Sequence, residues 1–141
     1  MKIIEQKGMI LKNLLIIVFI IFSGLAVNSQ EIPSKLLHGF QTGNADELSA
    51  YFNERLQLTI LTVDYRISKV QATEIMRDFF KKYPPSSFSV LFKGEKKDSN
   101  FAIGKLVSKT NIFRVNIFFR KITDTNLIYL LEIEKENDTK F

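Results

Sequence analysis

The chain has 141 residues, 45% of them hydrophobic and 25% charged, and its 20 Lys and Arg outnumber 15 Asp and Glu to give a net charge of +5. That length and balance allow one small globular domain. With no cysteine and His38 as the single histidine, a disulfide framework, a zinc ribbon, a thiol nucleophile and a Cys/His metal centre are excluded, and no cofactor or metal is expected.

Lys2, Lys7 and Lys12 precede an apolar run from Leu14 to Phe22, followed by small and polar residues from Ser23 to Gln30. This is the layout of a secretory signal peptide. The run is well short of the roughly 20 residues that cross a bilayer as a helix. Val27 and Ser29 suit the −3 and −1 positions of a cut after Ser29, so residues 1–29 are expected to be removed and 30–141 to form one exported domain. A retained anchor is the alternative; after cleavage no stable membrane insertion is expected, and the missing cysteine excludes a lipoprotein. Losing the leader lowers the net charge by two units, and the remaining cations are dispersed, with short clusters at Lys81-Lys82, Lys96-Lys97 and Arg120-Lys121. A nucleic-acid partner is therefore not expected.

Pro33 suits a first helical position, and Ile32, Leu36 and Phe40 recur at four-residue spacing, predicting a helix from Pro33 to about Thr42 that stops at Gly43. Asn44 with Glu47 caps a second short helix bearing Leu48, Tyr51 and Phe52. Arg55 to Val63 alternates as a strand. Ser68 and Gln71 form a capping box for the clearest helix, whose Ala72, Ile75, Met76, Phe79, Phe80 and Tyr83 make a core stripe before Pro84-Pro85 ends it. Four strands follow: Phe88 to Lys93, Phe101 to Lys109, Ile112 to Lys121 and Leu127 to Lys135. Helices first and an antiparallel meander afterwards predict an α+β domain.

A two-residue Thr110-Asn111 hairpin sets Ser108 against Phe113 and Ala102 against Phe119. Pairing the last two strands so that Phe119 meets Tyr129, Ile117 meets Leu131 and Val115 meets Ile133 keeps one face apolar and sets Arg114 opposite Glu134, with Asn126 taking the unusual backbone angle. Along this inward face Ser108 and Tyr129 carry the only polar atoms; with Phe113 and Phe119 they are the candidate lining of a ligand cavity. The outer face collects Phe101, Ile103, Val107, Ile112, Phe118, Ile128 and Leu130 among charged residues. An apolar centre with a charged rim marks an interface, so Phe101, Ile103, Phe118 and Leu130 are the candidate contacts of a homodimer. Coverage by the N-terminal segment or the loop around Gly94 is the alternative.

The residues point further. Gly43-Asn44-Ala45 with Leu48, Ser49 and Tyr51-Phe52-Asn53, Ser68 with Gln71-Ala72 and Asp78-Phe79-Phe80, then Lys93-Gly94, Ile103-Gly104 with Leu106, and Phe113-Arg114-Val115 resemble a family of short secreted bacterial proteins known only as a domain of unknown function. The resemblance covers nearly the whole chain after the leader. It implies a nuclear-transport-factor-2-like cone of the cystatin-like superfamily, a strongly bent sheet wrapped around helices, and it supplies no catalytic residues. The wider fold includes isomerase- and dehydratase-like enzymes, whose chemistry needs a carboxylate or histidine in the cone. Asp64 and Tyr65 are the one acid and phenol near a plausible cavity mouth. The expected function is accordingly non-enzymatic: binding of a partner or small apolar ligand, with dimerisation through the outer sheet face. A small isomerase- or dehydratase-like enzyme using the cone is the alternative.

Overall fold

The computed structural model describes residues 2–23 and 31–137. The chain divides into two units, Met1–Glu31 and Ile32–Phe141. The first holds helix α1 (Lys2–Ser23), and no helix among the described residues is long and apolar enough to cross a membrane. The predicted cut after Ser29 lies outside the described residues.

In the second unit, α2 (Ser34–Thr42) buries Leu36 and Phe40 and ends at Gly43, whose φ of 69° is the left-handed conformation that closes helices. Asn44 then caps α3 (Ala45–Ser49) by accepting the Glu47 N–H at 3.2 Å. Helix α4 (Lys69–Lys82) begins with the predicted capping box: Ser68 Oγ accepts the Gln71 N–H, and Gln71 Oε1 accepts the Ser68 N–H. Its apolar stripe faces the sheet. Ala72, Met76, Phe79 and Phe80 are all buried there.

The strands are β1 (Phe52–Ile60), β2 (Val63–Ser68), β3 (Pro85–Lys96), β4 (Ser99–Ser108), β5 (Asn111–Ile122) and β6 (Thr125–Lys135), in the sheet order β2-β1-β6-β5-β4-β3. Every junction is antiparallel except β1 with β6, which run parallel. The expected strand from Arg55 to Val63 is thus the first arm of a hairpin. Leu61 turns it with a φ of 59°, a conformation that a leucine does not announce in sequence.

The registers keep the predicted faces and alter the details. Lys109 and Thr110, rather than Thr110 and Asn111, form the β4–β5 loop, because Ser108 pairs with Asn111; Phe113 consequently meets Leu106 instead of Ser108, and Ala102 meets Ile117. Side chains alternate with a period of two, so a two-residue shift leaves every one on its own side. Between β5 and β6, Val115 with Ile133, Ile117 with Leu131 and Arg114 with Glu134 pair as expected, but Phe119 meets Ile128 instead of Tyr129. The β5–β6 turn places Thr123, not Asn126, at positive φ.

The inward face is a packed aromatic core. Phe40 stacks on Phe88 with centroids 4.6 Å apart, and Phe113 receives the edges of Phe79 and Tyr83 at 5.2 and 4.9 Å. Gly104 makes room for this on β4, since a Cβ there would lie 2.4 Å from Phe88 Cζ and 3.2 Å from the Ser89 carbonyl oxygen. Phe88 is buried against Phe40 and cannot step aside, so Gly104→Ala should cost about 1–3 kcal/mol. A urea-unfolding midpoint unchanged by the substitution would contradict that packing.

Candidate functional site

The predicted cavity residues do not converge on a binding site. Ser108 is buried, but its hydroxyl donates to the Pro84 carbonyl at 2.9 Å, where it ties β4 to the end of α4. Thr73, the other buried polar side chain among the described residues, donates to the Lys69 carbonyl of its own helix at 2.7 Å. Phe113 and Phe119 are inward and buried, as core. Tyr129 is the clear correction. It is the extra residue of a β-bulge between the Phe118–Leu130 and Phe119–Ile128 pairs, so it turns to the outer face while Ile128, expected outside, is fully buried. Asp64 and Tyr65 part for a simpler reason: they are consecutive on β2, and neighbours on a strand point to opposite faces. Tyr65 packs on the core, whereas Asp64 is exposed and accepts a 2.7 Å hydrogen bond from the Thr59 hydroxyl.

The outer face carries the more organised arrangement. Four aromatic rings cross four adjacent strands in a row: Phe92 on β3, Phe101 on β4, Phe118 on β5 and Tyr129 on β6, with successive centroids 5.8, 6.1 and 6.4 Å apart. Two of them are outside because of bulges. On β3, Val90 pairs with Gly104 and Phe92 with Ile103, so the extra residue Leu91 shifts Phe92 from the inward to the outward side. The cost is visible as apolar surface, with Leu91 65% and Phe92 57% exposed. Gly94 pairs with Phe101, and a Cβ on it would come within 2.3 Å of the Phe101 ring; the ring therefore lies against the bare β3 backbone. The Arg120 guanidinium sits 4.5 Å from the Tyr129 centroid and holds that ring by a cation–π contact.

Between these side chains is a shallow hollow of about 350 Å³ lined by Phe101, Ile103, Phe118 and Tyr129 and by Lys96, Ser99, Arg114 and Asn116. Of the four predicted interface residues, Phe101, Ile103 and Phe118 line it, and Leu130 stands opposite Phe118 on the same face. Phe92, Gly94 and Tyr129 belong to this arrangement and were not read as part of it. A glycine facing an aromatic residue across a hairpin is the sequence signal that could have located Gly94; no local signal marks either bulge.

On the helices, five polar or charged side chains close on one another. His38 Nδ1 lies 2.6 Å from Glu47 Oε2, and Arg77 links Asp46 on α3, at 2.7 Å, to Glu74 on its own helix. These contacts fasten helices together. Among the described residues no group of three or more His, Asp or Glu side chains is placed to hold a metal ion.

Residues 34–134, from the start of α2 almost to the end of β6, match DUF4783, described as a domain of unknown function. The chain belongs to the DUF4783 family. A crystal structure of a DUF4783 protein from Bacteroides ovatus is 34% identical to it, covers 78% of this chain and 100% of its own, and superposes with a TM-score of 0.73. Two more distant structures share the fold. A domain of unknown function with a cystatin-like fold from Nostoc punctiforme is 8% identical, spans 74% of this chain and 73% of its own, and has a TM-score of 0.59. The protein named Rd1NTF2_04 with long sheet is 14% identical, spans 70% and 92%, and has a TM-score of 0.59. The DUF4783 domain thus has the nuclear-transport-factor-2-like, cystatin-like α+β fold read from its sequence. No curated protein matches the chain.

Proposed function

We propose that this DUF4783 protein is an exported, non-enzymatic binding domain whose working surface is the outer face of its sheet, where it pairs with a second copy. The observation that carries the reading is the aromatic row Phe92–Phe101–Phe118–Tyr129, built with two bulges and a glycine and left facing solvent. Phe92 is exposed and the other three rings are half-buried, and a contiguous apolar patch on a protein surface is characteristic of an interface. The surrounding charges favour a copy of the same chain as partner. On β3 to β5 the outer face bears Lys96, Lys105, Arg114 and Arg120, whereas β6 brings Glu132 and Glu134; on β2 the exposed Asp64 and Arg66, two residues apart on this face, offset each other. A twofold arrangement is self-complementary, so the cations of β3 to β5 in one copy can meet the β6 carboxylates of the other. Export rests on the lysine-flanked apolar run before Ser29.

Against the isomerase-like alternative weighs the inner wall, where the Ser108 hydroxyl is committed to Pro84 and the candidate acid Asp64 lies on the opposite face of its strand. A small apolar ligand in the cone meets the same obstacle, because Phe113, Ile117 and Leu131 are already fully buried there. A native mass spectrum of the protein exported through its own leader tests the reading. The expected species starts at Gln30 and has twice the chain mass; an intact leader overturns the export and a monomer overturns the pairing.

A further inference from the structure

Arg114 stands opposite Glu134 in the β5–β6 register, yet the two form no ion pair among the described residues. Its Nε instead donates to Asn116 Oδ1 at 3.2 Å, and Asn116 Nδ2 donates to Glu132 Oε2 at 3.2 Å. Glu132 thereby orients Asn116, and Asn116 turns the guanidinium into the wall of the hollow. The two terminal nitrogens of Arg114 donate no hydrogen bond within this side-chain chain. A guanidinium held by Nε presents those nitrogens as a planar fork, which matches a carboxylate at two points. Beside Arg114 the hollow is lined by the apolar side chains of Phe101, Ile103, Phe118 and Tyr129; Lys96 closes the far end from its pairing with Ser99.

We infer that this hollow is a binding site for a carboxylate carried on an apolar body, such as an aryl-alkyl acid. Arg114 takes the carboxylate, and the rings of Phe101, Phe118 and Tyr129 take the body. Asn116 is a positioning residue: it makes no contact with the ligand and acts by aiming Arg114. The charge fits an acid and not an amine, because Lys96 and Arg114 line the hollow while Glu132 is engaged by Asn116. The inference rests on the outer face being the working surface, and a second copy laid over that face would close the hollow above its ligand.

The test uses the leaderless protein with 3-phenylpropionate as probe and 3-phenylpropanamide and acetate as controls, read by amide chemical shifts. Saturable shifts confined to the strands around Phe101, Phe118 and Tyr129 are expected with the acid. The neutral amide and acetate should each bind at least tenfold more weakly. Arg114→Gln, at an exposed position, should weaken the acid roughly ten- to a hundredfold, as expected for loss of a charge-assisted pair, without changing the rest of the spectrum. Arg114→Lys should recover part of this loss, and Asn116→Ala should weaken the acid while leaving the amide unaffected. Equal binding of acid and amide, indifference to Arg114→Gln, or shifts centred on the helices would overturn the inference. The mass of the same sample separates this from the pairing: a dimer that ignores the acid removes the site alone, and a monomer that takes it up removes the pairing alone.

Discussion

Phe113→Ala is expected to destabilise the domain by about 3–5 kcal/mol. Phe113 is completely buried and stands on β5 against Leu106 of β4, with the edges of Phe79 and Tyr83 packed on its ring. Truncation removes the transfer free energy of the ring and leaves a void between sheet and helix. Neither wall can collapse into it, because α4 is pinned by its capping box at one end and by the Ser108–Pro84 hydrogen bond just beyond the other. Net stabilities of small domains are about 5–15 kcal/mol, so roughly a fifth or more of the total is at stake. Urea unfolding should show a lower midpoint with an unchanged slope. A loss near 1 kcal/mol would mean that the cone has free space around this ring, and a ligand inside it would then deserve renewed testing.

Phe118→Glu is expected to give a folded monomer. Phe118 occupies the middle of the aromatic row, between Phe101 and Tyr129, on the face that the proposed pairing buries. In the isolated chain the new carboxylate stays in water, among Arg114 and Arg120 on the same face of the same strand, so the fold should survive. In a closed interface it must be desolvated beside a second hydrophobic face. That costs several kcal/mol, or about a hundredfold or more in dissociation constant. Sedimentation velocity would report the halved mass, and an unaltered circular dichroism spectrum would report the intact fold. A dimer that survives the substitution excludes this face as its interface.

The difference between Phe113 and Phe118 was legible without coordinates, because inside and outside alternate along β5. The same rule failed for Tyr129. Three residues of β1 beyond those that β6 can match bulge out between Phe52 and Gln57 where the two strands join in parallel, and Tyr129 is the β6 residue at that irregularity. A bulge arises from how two distant strands fit, and neither strand carries its mark. Phe92 escaped notice for the same reason. Arg114 was read as the partner of Glu134 from register alone; its hydrogen bond to Asn116 depends on side-chain direction, which pairing does not specify.

By itself the sequence determined the three helices of the domain and their caps, though not that Phe52 leaves the second helix for β1, the four strands of the meander, and the inward set from Ala102 to Ile133 except where Ile128 takes the place expected of Tyr129, since caps, stripes and alternation are properties of neighbouring residues. Only the tertiary structure decided the β1–β2 hairpin, the parallel β1–β6 junction, the two bulges and hence the aromatic row and hollow on the outer face. These depend on contacts between residues far apart in the chain, where a one-residue insertion reverses a side chain's direction and local pattern carries no record of it.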